Sequence, residues 1–189
     1  MLSVIIPTEG VERPTVATLA ALVPGAAAGI IREVLLVDRS ENAVIERVAD
    51  VSGCRFLRFQ GTRAAALAAG AREARSAWLM FLRPGAVLDS GWIEETTQFI
   101  QHVAASGRRR AGVFRHARSP YGDSGWRDSF RHVARTFVGP LADQGLLIAR
   151  DHYEQLGGYV PDAPRAEARL LRQLGRSSRT LLRSRIVMT

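Results

Sequence analysis

Three places in this sequence carry residues suited to holding an anion or a polar ring. Pro7-Thr8, Asp38 and Arg83 each stand directly after a short apolar run that reads as a β-strand. Ligands of open α/β sheets bind beyond the carboxyl ends of the strands, so these residues converge on one rim if the runs are parallel strands. An aspartate there accepts from a ring N–H. An arginine grips two phosphate oxygens with parallel hydrogen bonds and stays charged at any ordinary pH. Arg63, at the head of an alanine-rich helical segment, is a second cation of this kind. Plainer roles stay open: Asp38 as a turn residue after a strand, and Arg63 as a solvated residue of a first helical turn.

Other chemistries find little footing. His102, His116, His132 and His152 are scattered, with no His-Glu-x-x-His spacing and no cysteine cluster, so no metal centre is expected from them. No Walker-type glycine loop and no Gly-x-Ser-x-Gly elbow is present. The one cysteine, Cys54, has no internal partner for a disulfide, which suits a reducing compartment. The net charge is +8, and all 26 basic residues are arginine. That excess favours anionic partners (nucleotide phosphates, acidic lipid headgroups or nucleic acid) or is simply a solvated basic surface. The densest stretches are Arg108-Arg109-Arg110 and the series Arg172, Arg176, Arg179, Arg183, Arg185. Spatial clustering of the two would favour a polyanion binder. Without interleaved aromatics, nucleic acid is not the expected partner. An anionic membrane is the alternative, each arginine near its surface contributing about 1 kcal/mol.

The elements that would position these residues follow from periodicity. Hydrophobic residues at 47% and charged residues at 23% describe an ordinary globular chain of 189 residues, enough for one domain. Strands are expected at Leu2–Ile6, Glu33–Val37, Arg55–Phe59 and Trp78–Leu82, alternating with helical patterns in the manner of βαβ units. The first helix, opened by Pro14, would pack Val16, Leu19, Leu22 and Val23 and end at Pro24-Gly25. The segment Arg63–Arg75 sets Ala64, Leu67, Ala68, Ala71 and Ala74 on one stripe, small enough to lie close against a sheet. Asp89 or Ser90 would cap the next helix, with Glu94 and Glu95 in its first turn. Beyond it come a strand at Ala111–Phe114, a loop over Ala117–Gly125 and a strand at Gly145–Ala149. Asp151 and Glu154 then form a capping-box pair, and Gly157-Gly158 stops that helix. A helix over Ala166–Leu174 and a strand over Arg185–Met188 finish the chain. The apolar stretch Ala17–Ile31 is interrupted by Pro24, Gly25 and Gly29, so it is not a spanning helix. The opening Met1–Pro7 reads as a strand and not as a signal peptide.

Four segments in order resemble the family 2 glycosyltransferases of GT-A fold. They are Ser3-Val4-Ile5-Ile6-Pro7-Thr8 with Glu12, and Glu33–Asp38. The third runs from Arg63-Ala64-Ala65 through Trp78–Leu82 to Gly91-Trp92. The last comprises Asp143-Gln144-Gly145, Arg150-Asp151, Leu156-Gly157-Gly158-Tyr159 and Leu171 to Arg176. The resemblance implies a Rossmann-like, mainly parallel central sheet flanked by helices in a single domain. Residues 1–90 would be its nucleotide-sugar donor half and residues 91–189 its acceptor half. It also implies that Pro7, Thr8, Glu12, Asp38, Arg63 and Arg83 line a nucleotide-sugar site, with Asp38 meeting a uracil-like base.

The departures fall on acidic positions. After the Phe81-Leu82 strand the family carries an Asp-x-Asp-type metal motif, whereas this chain reads Arg83-Pro84-Gly85-Ala86. After the Gly-Gly-aromatic turn the family carries a Glu-Asp pair that deprotonates the acceptor. Here the stretch is Pro161-Asp162-Ala163-Pro164-Arg165-Ala166-Glu167, so only Asp162 or Glu167 could serve, with a shift of register. Asp143 remains as a matched acid beside the expected acceptor channel, or is a loop residue hydrogen-bonded to backbone. The expected ligand is therefore a uridine or guanosine diphosphate sugar. The resemblance implies inverting transfer to an acceptor hydroxyl, here without the family's magnesium or manganese. The alternative is a pseudoenzyme, a non-catalytic binding or regulatory module on the same fold. A cytoplasmic location is expected, with peripheral contact at the inner membrane surface where anionic lipid attracts the arginines.

Overall fold

A computed structural model describes residues 1–117, 145–161, 163 and 166–189. The amino-terminal part alternates strand and helix: β1 (Leu2–Thr8), α1 (Glu12–Ala27), β2 (Ile31–Asp38), α2 (Val44–Ser52), β3 (Arg55–Arg58), α3 (Arg63–Glu73) and β4 (Trp78–Phe81). There follow β5 (Ala86–Leu88), α4 (Trp92–Ser106), β6 (Ala111–Ala117), β7 (Leu146–Ala149), α5 (Arg150–Gln155), α6 (Ala166–Leu174) and β8 (Arg179–Met188). One eight-stranded sheet runs in the order β3-β2-β1-β4-β7-β6-β8-β5. Its β3-β2-β1-β4 part is parallel throughout. Around β7 it turns antiparallel, β6 and β8 are parallel neighbours, and β5 closes the edge antiparallel to β8.

The two faces of the sheet are buried by different helices. Leu19 and Leu22 of α1, Ile45 of α2, and Trp92 and Phe99 of α4 pack with Val4, Ile6, Leu36 and Met80 on one face. On the other, α3 and α6 pack Ala64, Leu67, Leu170 and Leu174 with Ile5, Leu35, Val37 and Leu79. Strands buried on both faces carry continuous apolar runs, as β1 does with all seven residues buried. In α3, Ala64, Leu67 and Ala71 of the expected stripe are buried together with Ala66, Ala69 and Gly70. Gly70 touches β1 closely: a Cβ on it would stand 2.5 Å from Ile5 Cγ2.

Several local expectations are corrected. The buried face of α1 uses Thr15, Thr18, Leu19, Leu22 and Gly25, while Val16 and Val23 are exposed. The threonines can be buried because Thr15 Oγ1 donates to Val11 O (2.8 Å) and Thr18 Oγ1 to Pro14 O (3.2 Å). The helix also continues through Pro24-Gly25 to Ala27, because Gly25 packs directly beneath the Trp92 ring. Neither Asp89 nor Ser90 caps α4, whose N-cap is Gly91. Asp89 instead accepts from Arg185 N (2.9 Å). Helix α5 starts at Arg150 with no side-chain cap, so Asp151 lies inside its first turn.

The last strand begins six residues earlier than expected, at Arg179, because it carries a bulge. Val113 pairs with Leu181 and Arg115 with Arg185, so residues 182–184 are accommodated opposite one residue of β6. Glu95 holds that bulge, accepting from Arg183 N (2.5 Å) and Ser184 N (2.7 Å). Of the expected loop Ala117–Gly125, Ala117 closes β6 and the remainder lies outside the described residues.

Candidate functional site

The register of the parallel strands brings the sequence-designated residues to one rim. Thr8 pairs with Asp38 across β1 and β2, and Pro7 with Val37. Ile5 pairs with Phe81, and Leu82 N donates to Ile5 O (3.1 Å), so Arg83 leaves β4 beside the end of β1. The first turn of α3 brings in Arg63 over the same rim. Glu12 lies exposed at the first turn of α1. Asp143 and Asp162 lie outside the described residues.

Asp38 is fully buried and organises the loop after β1. Its Oδ1 accepts from Thr8 Oγ1 (2.9 Å) and from Gly10 N (2.9 Å), and its Oδ2 from Ser40 Oγ (2.5 Å). Gly10 adopts φ +75, and a Cβ there would lie 2.5 Å from Asn42 Nδ2. Only glycine fits this left-handed turn, which directs the amide at Asp38. Next to it, Arg39 went unremarked in the sequence. Its guanidinium ion-pairs with Glu9 and donates to Gly61 O (3.1 Å), bridging the loops after β1 and β3. The signal available was its place immediately after Asp38 on the same strand end.

Arg63 and Arg83 are the two designated cations at this rim. Arg63 Nε donates to Glu167 Oε1 of α6 at 3.0 Å. Burial, and secondly the positive charge of Arg83, lower the proton affinity of the Arg63 guanidinium, while Glu167 and Tyr159 work against both. The α3 terminus is fixed to the other half of the molecule by Thr62. Its hydroxyl oxygen accepts from Ala65 N (3.1 Å) and its hydroxyl donates to Pro161 O (2.6 Å). Phe81, Tyr153 and Tyr159 form an aromatic cluster in the adjoining core, with ring centroids 5.0–5.8 Å apart. Burial there pushes the Tyr159 hydroxyl far above its ordinary range, so it stays neutral.

The segment where the resembled family carries carboxylates is a backbone-locked turn here. Thr18 Oγ1 donates to Arg83 O (3.3 Å), Gly85 N to Pro14 O (2.8 Å), and Thr189 N to Gly85 O (3.0 Å). Magnesium and manganese require hard oxygen ligands. Arg83-Pro84-Gly85-Ala86 supplies none from side chains, and Asp89 is engaged by the Arg185 amide. Among the described residues no group of three His, Cys, Asp or Glu could hold a metal ion.

No protein-family model matches the sequence, and comparison with curated proteins finds no significant match. Solved structures do match. Residues 1–349 of S. aureus TarS superpose with a TM-score of 0.68 at 13% identity, covering 100% of this chain and 60% of that one. The mannosyltransferase PcManGT from Pyrobaculum calidifontis, solved with GDP-Man and Mn2+, gives 0.68 at 16% identity, covering 98% and 56%. A longer TarS structure gives 0.67 at 12% identity, covering 100% and 36%. The fold is therefore that of the GT-A glycosyltransferases. The chain spans less than two thirds of the length of each of these neighbours. No helix among the described residues is long and apolar enough to cross a membrane.

Proposed function

We propose that the cleft binds a nucleoside diphosphate sugar, with Arg63 and Arg83 on the diphosphate, and transfers the sugar to an acceptor hydroxyl without a divalent ion. The observation that carries this reading is the approach of two guanidinium groups at the carboxyl ends of parallel strands. Burial, and secondly the neighbouring positive charge of Arg83, lower the proton affinity of the Arg63 guanidinium. An anion bound beside both would offset the charge that Arg83 places near Arg63, and guanidinium geometry matches phosphate oxygens. Thr8, Asp38 and Gly10 shape the nucleoside end of the cleft, with Pro7 and Glu12 beside it. Each arginine carries one charge where a metal ion carries two, so leaving-group stabilisation is weaker and turnover slow.

A binding module without catalysis is the second reading, and a specific observation favours it. A general base must be able to take a proton from the acceptor. Glu9 is held by Arg39, Asp38 by three donors and Glu167 by Arg63. In the catalytic reading that base is Asp143 or Asp162.

Calorimetry with uridine and guanosine diphosphate sugars, with and without manganese, tests the proposal. Arg83→Ala and Arg63→Ala should each weaken diphosphate binding roughly tenfold or more, the value of a hydrogen bond to a charged group, and leave nucleoside binding unchanged. Manganese should have no effect. Severalfold tightening by manganese, or wild-type affinity in both variants, would refute the site. Glycosyl product in an acceptor screen separates the enzyme from the binding module.

A further inference from the structure

A basic end lies on the far side of the sheet from the cleft. Strands β4 and β6 both run antiparallel to β7, and β8 runs parallel to β6. The amino ends of β1, β2, β4, β6 and β8 therefore share one end of the sheet, opposite the rim that carries Asp38 and Arg83. Ala111 pairs with Arg179, and Ala111 N donates to Ser178 O (2.8 Å). That register brings Arg108-Arg109-Arg110 against Arg176 and Arg179, two runs more than sixty residues apart in sequence. Arg75, just before β4, adds to the same end. Arg75, Arg108, Arg109 and Arg176 are exposed, and Arg110 and Arg179 are half-buried. None of the six is within ion-pair distance of a carboxylate among the described residues. Of the acids nearby, Glu33 and Glu73 are taken by Arg55 and Glu154 by Arg150, which leaves Asp50 and Asp151.

Four exposed apolar side chains also stand on elements that reach this end. Met1 precedes β1, Val23 and Val51 stand near the last turns of α1 and α2, and Leu181 is the third residue of β8. They are 67%, 62%, 91% and 52% exposed. No aromatic residue appears among the exposed large hydrophobic side chains of the described residues.

We propose that this end of the sheet docks on an anionic lipid surface, with the arginines at the headgroups and Met1, Val23, Val51 and Leu181 at the headgroup–acyl boundary. Clustered arginines are attracted to an anionic leaflet, and apolar side chains among them gain by leaving water. Single-stranded nucleic acid would ask for exposed aromatic rings on which bases stack, and the described surface offers none. Docked in this way, the cleft at the opposite end of the sheet faces away from the membrane, open to water-soluble ligands.

Flotation with phosphatidylcholine vesicles, with and without phosphatidylglycerol, tests the proposal at low and at physiological salt. The wild-type chain should float only with the anionic vesicles and less at higher salt. Each arginine lost should weaken partitioning about fivefold, equivalent to about 1 kcal/mol. Arg108→Ala/Arg109→Ala/Arg176→Ala should therefore lose roughly a hundredfold. The matched control, Arg115→Ala/Arg183→Ala/Arg185→Ala, removes the same charge elsewhere and should stay close to wild type. Circular dichroism checks that both variants fold. Failure of the wild type to float at low salt, or equal losses in both triple variants, would overturn the proposal. So would tight binding to single-stranded RNA that the first triple abolishes while vesicle binding stays unchanged.

Discussion

Replacing Asp38 with alanine separates two roles that a strand-end aspartate can play. In the structure its carboxylate accepts three hydrogen bonds, and Thr8, one of the donors, is itself only 1% exposed. Asp38→Ala orphans the Thr8 hydroxyl and the partly buried Gly10 amide, whereas Ser40, less enclosed, can turn to water. Each orphaned buried donor costs about 1–3 kcal/mol, so the variant should lose about 3 kcal/mol of stability. With a urea dependence of about 2 kcal/mol per molar, the unfolding midpoint should fall by about 1.5 M. Asp38→Asn keeps an acceptor for Thr8 and Gly10 and should lose only about 1 kcal/mol. Adding Thr8→Val to Asp38→Ala removes one orphaned donor and should restore about 1 kcal/mol, a coupling that a double-mutant cycle reads directly. The reasoning fails if Asp38→Ala leaves the unfolding free energy within about 0.5 kcal/mol of wild type. A collapse of nucleotide affinity in such a stable variant would make Asp38 a ligand contact and not the organiser of the loop.

Two further predictions concern the scaffold. Gly70→Ala should destabilise by about 1–3 kcal/mol in thermal or urea unfolding, because its Cβ would press on Ile5 and Val37 of the paired strands; an unchanged stability would mean that α3 moves freely off the sheet. Glu95→Ala should cost about 1–2 kcal/mol by leaving the amides of the β8 bulge without an acceptor. For Glu95 itself, partial burial acts to raise the carboxyl but the bonds from Ser184 and Arg183 prevail, so its folded pKa lies below the ordinary 4.5. Its stabilisation is then complete above that value and fades as pH falls through the depressed one; in acid titrations Glu95→Ala should show a smaller loss than wild type over this interval.

The parallel half of the fold was legible in the chain because strands buried on both faces must be continuously apolar. The runs at β1, β2 and β4 and the small-residue face of α3 declare themselves in that way. Helix α2 and strand β5 escaped, since nine and three residues are too few for a periodic pattern to stand out. The packed face of α1 misled for a different reason. Threonines that satisfy their hydroxyls within the helix can be buried, and valines beside them can be left outside.

At the rim, residue type and strand-end position were enough to designate Pro7, Thr8, Asp38 and Arg83, because neighbouring parallel strands end at one level. The sequence alone likewise determined that no carboxylate stands at Arg83–Ala86. What those residues do with one another was decided only in three dimensions. Hydrogen-bond partners such as Gly10 for Asp38, Glu167 for Arg63 and Arg185 for Asp89 lie 28, 104 and 96 residues away. The same holds for the basic end: two arginine runs meet because β6 and β8 pair in parallel, a register set by the burial of Phe114, Leu182 and Ile186 rather than by any arginine. Local pattern follows from burial by face, whereas charge partners follow from which strand the core places beside which.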